Sequence, residues 1–308
     1  MTIQTEKTYA SKILLVGEYG VVLGGSALTI PFRKFHAKVR TTDEIPPHKE
    51  NEATQSSKYL KALFNYIRSL PKGSFHAPPD MTLFSNNLMR YWLEMTIPTG
   101  YGLGSSGAVS AAIYDQFFPG SETLSLPQQK EDLAAIESYF HGKSSGVDAL
   151  TCYVNSPLYF KVDGSIQIVD FDPLKLPFGY RFFLLDSGKQ FATEPLVRHF
   201  LQQMEDSGFA SSIRNEYLVI NQKLIESLVG ERDVDPGLLV RILSDYQYTH
   251  FRKMIPTNML DPWIEGQISN EYYLKLNGSG GGYALGITHH SSKQNMEDRW
   301  SKDLIWIE

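Results

Sequence analysis

The sequence predicts an α+β fold, and three features predict it. Short β-prone runs and segments of helical period follow one another without strict β-α-β alternation. Glycine-rich turns stand where strands end. Hydrophobic residues make up 42% and charged residues 20%, the balance of a chain that buries a real core. At 308 residues the chain is long enough for two compact lobes or one large domain. Pro173 and Pro177 mark the predicted boundary, which divides the chain into 1–175 and 176–308.

In the first part, Lys12–Val16 is an apolar strand ended by Gly17, and Leu28–Pro31 and Phe35–Thr41 read as two more strands. The polar stretch Thr42–Ser57, with Pro46 and Pro47, reads as an exposed loop. Tyr59, Leu60, Leu63, Phe64 and Ile67 recur at helical spacing and predict a helix to about Leu70. Met81–Phe84 and Tyr91–Ile97 read as strands, and a helix is expected from about Ser105 to Phe117. Helices near Gln128–Tyr139 and at Val147–Val154 flank a Gly/Ser turn, and strands at Leu158–Val162 and Ile166–Phe171 close this half. The second half opens with a strand at Phe182–Leu185 and helices from Glu194 to about Lys253. Strands at Tyr272–Leu276 and Tyr283–Thr288 then bracket a glycine run, before a helix and a strand at Leu304–Ile307.

Composition excludes several classes of function. The formal charge is −5 and no long basic run occurs, which argues against a nucleic-acid partner held by phosphate neutralisation. The single cysteine, Cys152, cannot form an internal disulfide and reads as a buried small hydrophobe. The eight histidines have no metal-ligand spacing. Met1–Ser11 is polar, without the apolar core of a signal peptide, and no apolar run approaches the ~20 residues of a membrane span. A soluble, cytoplasmic protein with no membrane partner is the expectation by elimination.

Four stretches carry chemistry. Ile97-Pro-Thr-Gly-Tyr-Gly-Leu-Gly-Ser-Ser-Gly107 ends a strand, wraps through glycines and opens a helix. Unpaired N–H groups and the positive end of the helix make such a turn a phosphate cradle. Ser105 or Ser106 can reach a phosphate oxygen or Mg2+, or can simply cap the helix. The same stretch satisfies G-x-G-x-x-G, but no second strand ending in an acidic residue follows, so a dinucleotide site is disfavoured. The ATP P-loop pattern also fails, for no Lys-Ser/Thr pair closes the glycine run. In Glu137-Ser-Tyr-Phe-His-Gly-Lys-Ser-Ser-Gly-Val-Asp148, carboxylates at neighbouring helix ends can converge, one on a divalent metal and one on a proton, or can be solvated acids. Asn277-Gly-Ser-Gly-Gly-Gly-Tyr283 lies between strands, where backbone approaches a ligand or another segment unless the loop is only a flexible hairpin. Lys12 and Glu18 bracket the first strand and, taken alone, face solvent.

In this order the four stretches resemble the GHMP kinase superfamily, over most of the chain from Lys12 to about Thr288. Pro98 to Ala108 is similar to P-x-x-x-G-L-G-S-S-A-A, with Gly107 for the first alanine. Glu137 to Asp148 resembles the mevalonate-kinase stretch E-x-x-x-H-G-x-P-S-G-x-D, with Ser144 for proline. Gly17 to Gly24 resembles G-E-H-A-V-V-H-G with Tyr19 for histidine, and the last motif resembles G-A-G-G-G-G with Ser279 for alanine and Tyr283 for glycine.

The resemblance implies a two-lobed fold, with a ribosomal-protein-like N-terminal α/β lobe and a ferredoxin-like C-terminal α+β lobe. It implies ATP and Mg2+ as cofactors and direct phosphorylation of a small-molecule hydroxyl. The branch it most resembles implies a hydroxy acid such as mevalonate, converted to 5-phosphomevalonate for isoprenoid precursor synthesis. Asp148 would be the base with Lys12 beside it, and Ser106 and Glu137 would bind Mg2+. Pro98, Gly100, Gly102, Leu103, Gly104, Ser105 and Ser106 would wrap the ATP phosphates, with Gly278, Ser279, Gly280 and Gly281 closing on them. Glu18, Tyr19, His141, Ser145, Gly146 and Thr193 would lie on the substrate side. The departures at Tyr19, Ser144 and Tyr283 bear on which acceptor is used. A phosphomevalonate or sugar kinase, a related decarboxylase and a non-catalytic metabolite sensor stay open, as does a homodimer.

Overall fold

A computed structural model describes residues 7–308 of the chain. In order, its first elements are β1 (Thr8–Val16), β2 (Ala27–Thr41), α1 (Glu50–Ser69), α2 (Met81–Asn87), β3 (Tyr91–Met95) and α3 (Ser105–Phe117). There follow α4 (Leu126–His141), α5 (Val147–Val154), β4 (Leu158–Phe160), β5 (Ile166–Ile168) and β6 (Tyr180–Asp186). The remainder is α6 (Thr193–Gln203), α7 (Ser207–Ser212), α8 (Leu218–Leu228), α9 (Pro236–His250), α10 (Leu260–Ser269), β7 (Tyr272–Leu276), β8 (Tyr283–His289), α11 (Lys293–Trp300) and β9 (Leu304–Trp306). Helices and antiparallel strands are mixed, with two sheets ordered β1-β2-β4-β5, where β3 also pairs with β2, and β7-β8-β6-β9.

By internal packing the chain divides into two compact units drawn from separated segments. Of the described residues, the first holds 7–12, Pro31–Pro98 and Gly104–Ser156. Here β2 pairs with β3 from Ala37 opposite Met95 to Thr41 opposite Tyr91. Helix α1 lies on β3 and turns Ala53, Leu60, Leu63, Phe64 and Ile67 inward, a stripe at three- and four-residue spacing. Helix α3 is buried almost throughout, and its small residues Gly107, Ala108, Ala111 and Ala112 let α5 and α4 approach closely. The second unit holds Ile13–Ile30, Thr99–Leu103 and Pro157–Glu308. Its sheet is antiparallel, with α9 and α10 packed on β7 and α8 on α9.

Several local expectations fail for physical reasons. Met81–Phe84 forms part of α2, not a strand. The Asp80 side chain caps the helix by accepting from Leu83 N at 2.8 Å, and Phe84 stacks on Phe117 at 4.1 Å. A run of only four residues does not distinguish the two states by period. The two strands expected around Phe32 are one strand, β2, because Pro31 falls between its ladder to β4 and its ladder to β3. Its missing N–H therefore costs neither of those ladders a bond. The polar loop ends sooner than expected, since α1 begins at Glu50 with Glu50 and Glu52 in its first turn. Helix α10 went unpredicted behind Pro256; it is held by the buried Trp263, which donates to Ser244 O at 3.2 Å. No helix among the described residues is long and apolar enough to cross a membrane.

Candidate active site

The glycine turn after β3 enters α3 as the sequence predicts, but neither serine caps the helix. Gly104 is the N-cap, in the left-handed region at φ 73°, and Ser105 and Ser106 already lie within α3. A Cβ on Gly104 would stand 2.8 Å from Lys12 Cγ, so glycine is required for both conformation and proximity. Lys12 is 1% exposed, and its Nζ lies 3.0 Å from Asp148 Oδ2. Asp148 opens α5, is about one-third exposed at 34%, and is brought close because α5 rests on Gly107 of α3, where a Cβ would lie 2.9 Å from the Asp148 backbone. Burial of Lys12 corrects the expectation that its charge faces solvent.

Glu137, near the end of α4, completes this cluster. Its carboxylate is buried and accepts from Ser106 Oγ at 3.0 Å and from Ser144 Oγ at 2.5 Å. Ser144 therefore makes a contact that sequence reasoning missed; a hydroxyl where the resembled pattern has proline was the available signal. Burial raises the Glu137 pKa to about 7, the Asp148 charge adds to this, and the serine hydroxyls and Lys12 oppose it. Among the described residues no group of three or more His, Cys, Asp or Glu could hold a metal ion.

A stability consequence follows, with a definite sign. The folded protein binds this proton more tightly than the unfolded chain, whose ordinary value is 4.5. The stabilisation is full below that value and is lost as pH rises through about 7. Between pH 5 and 7.5, metal-free Glu137→Gln is therefore expected to gain on wild type by on the order of 2–3 kcal/mol. Parallel stability curves from urea unfolding would contradict this.

Other predicted residues are placed differently. Gly146 is the left-handed N-cap of α5 and packs against Lys130 O, whereas Ser145 is exposed and accepts from Val147 N at 3.4 Å. His141 ends α4, and its side chain lies outside the described residues. In the second unit, Glu18 is fully buried and paired with Lys275, so the expectation that it faces solvent is wrong and a substrate-facing side chain is not what this pairing provides. Tyr19 is 3% exposed, its ring set against Phe200 and Phe251. Gly102 abuts Asn277 O, and Gly280, Gly281 and Gly282 are buried against Met254, Phe191 and Tyr101. The second glycine run therefore packs on protein rather than forming a loose hairpin tip. The dinucleotide pattern at Gly102–Gly107 lacks its context, because α3 is followed by α4 and not by a strand.

Comparison with known proteins finds similarity to kinases. Residues 62–156 match the model for the GHMP kinases N terminal domain. The mevalonate kinase of Pyrococcus abyssi is 27% identical over 218 residues, which cover 64% of this chain, and the chain spans 61% of the length of that relative. The crystal structure of L. major mevalonate kinase with R-mevalonate has a TM-score of 0.63 at 15% identity, covering 98% of this chain and 95% of that one. Streptococcus pneumoniae phosphomevalonate kinase, with phosphomevalonate and AMPPNP, has a TM-score of 0.63 at 16% identity and covers 99% of both chains. At such identities these two likenesses speak to fold. Residues 62–156 thus resemble a GHMP kinase N-terminal domain, and the chain as a whole shares the fold of these solved kinases.

Proposed function

We propose that the protein is an ATP- and Mg2+-dependent kinase that phosphorylates a small-molecule hydroxyl, with mevalonate as acceptor and 5-phosphomevalonate as product. The observation that carries this reading is the Lys12–Asp148 pair beside the start of α3, next to a Glu137 carboxylate held by Ser106. The name of the Pyrococcus relative supports the acceptor.

An alcohol is a poor nucleophile at neutral pH, so its proton must leave as attack proceeds. Asp148 is exposed enough to meet a soluble acceptor and would take that proton. The acceptor oxygen bonds to the γ-phosphorus while the bond from that phosphorus to the β–γ bridging oxygen breaks, and ADP leaves with the electron pair. Lys12 stabilises negative charge developing on the attacking oxygen. Gly104, the N-cap of α3, brings no side chain to the helix start, and a helix N-terminus favours phosphate oxygens.

The residues present fit a hard divalent cation. Glu137 is a carboxylate whose charge is disfavoured by burial, which a cation relieves, and Ser106 adds a hydroxyl oxygen. Mg2+ needs only one or two protein carboxylates beside phosphate and water. Ser106 and Glu137 would hold it, and bound there it would neutralise charge on the phosphates.

The test is ADP release from purified protein with mevalonate, phosphomevalonate and a sugar. Mevalonate is expected to give the highest kcat/KM. Preference for another acceptor would overturn the substrate and keep the reaction; no acceptor-dependent ADP would reject the kinase reading.

A further inference from the structure

Tyr19 has an unusual backbone. Its φ is 57° and its ψ −32°, a sparsely populated conformation for a non-glycine residue, which persists only where the surroundings impose it. The surroundings do impose it. The ring lies 4.8 Å from Phe200 and 5.2 Å from Phe251, and the phenol donates to Ser279 O at 2.6 Å. Ser279 in turn donates from its Oγ to Thr193 Oγ1 at 3.2 Å. Thr193 opens α6 and Phe200 lies further along the same helix, so Tyr19, the glycine run and α6 form a closed ring of contacts within the second unit.

The glycine run needs such a ring at one end only. Gly280, Gly281 and Gly282 are already buried against backbone or Cβ atoms of Met254, Phe191 and Tyr101. Gly278 and Ser279 are half-buried, and they are the part of the run that can meet a ligand. In a trans peptide the C=O and the following N–H point in opposite directions. The phenol that holds Ser279 C=O therefore also turns the Gly280 N–H away from Tyr19. Both bonding side chains stand where the chain departs from the pattern it resembles, which has histidine at 19 and alanine at 279. An alanine at 279 has no hydroxyl for Thr193, so the two departures meet in one device.

We propose that Tyr19 and Ser279 are positioning residues that set the half-buried peptides of the 278–279 segment for the nucleotide, and that Tyr19 makes no contact with the acceptor. This rests on the kinase reading given above. Oriented backbone N–H groups cost no reorganisation when phosphate arrives, so their loss falls on nucleotide constants.

Tyr19→Phe keeps the ring and removes only the strap. It is expected to raise the KM for ATP and the Kd for a non-hydrolysable ATP analogue by about 5–10-fold, the worth of one hydrogen bond, with the acceptor KM within about twofold of wild type. Ser279→Ala is expected to change the same constants in the same direction. In both variants, hydrogen exchange across 277–282 should quicken in the ligand-free protein. An acceptor KM that rises while nucleotide constants stay put would overturn the proposal and return Tyr19 to the acceptor side. Unchanged exchange together with unchanged nucleotide binding would overturn it as well. If wild type bound no nucleotide yet exchange quickened in Tyr19→Phe, the kinase reading would fail and the nucleotide-positioning role with it, leaving only the strap.

Discussion

Asp148→Asn is expected to lower kcat by roughly 10²–10⁴-fold, with the Kd for an ATP analogue within about threefold of wild type. Asparagine has the same size and keeps a carbonyl oxygen for Lys12, which lies 3.0 Å from the present carboxylate. The start of α5, seated on Gly107, should stay where it is. What disappears is a base within reach of the acceptor hydroxyl. The groups proposed for phosphate binding, at the first turn of α3, are separate from this side chain. A drop in kcat matched by an equal loss of nucleotide binding would point to collapse of the turn, and an unchanged kcat would remove Asp148 from the chemistry.

The second large effect concerns stability. Lys275→Met is expected to destabilise the protein by about 3–5 kcal/mol, because it strands a buried carboxylate. Glu18 and Lys275 are both fully buried, and Lys275 also donates to Leu276 O at 2.9 Å. Around them, the Glu18 carbonyl accepts from Tyr217 Oη at 3.0 Å, that oxygen accepts from Gln247 Nε2 at 3.0 Å, and Gln247 Oε1 accepts from Leu276 N at 2.7 Å. Breaking one partner of such a network costs more than the pair itself contributes, so Glu18→Gln combined with Lys275→Met should recover a large part of the loss. Urea midpoints measure both. A single variant within about 1 kcal/mol of wild type would show that the cavity readily admits water or a counter-ion.

Legibility in the sequence followed the range of the interactions. Helices α3 and α5 and the β7–β8 hairpin were readable because period and glycine placement are properties of adjacent residues. Helix α2 was not, since its state depends on the stacking of Phe84 on Phe117 from another helix. In the candidate site the residue types were visible at once, but their partners were not. Lys12 and Glu18 looked alike as charges at the ends of one strand, yet one pairs with Asp148 and the other with Lys275. Ser144 looked like a substitution in a turn and proved to be a donor to Glu137.

By itself, the sequence determined which turns carry glycines, where the helices that follow them begin, and which acids and lysines are available for chemistry. Only the tertiary structure decided which charges are buried, which carboxylate receives which hydroxyl, and that Tyr19 is tied to Ser279 260 residues away. The reason is that backbone propensity acts over a few neighbouring residues, whereas the cost of burying a charge is settled by whatever partner the topology brings beside it.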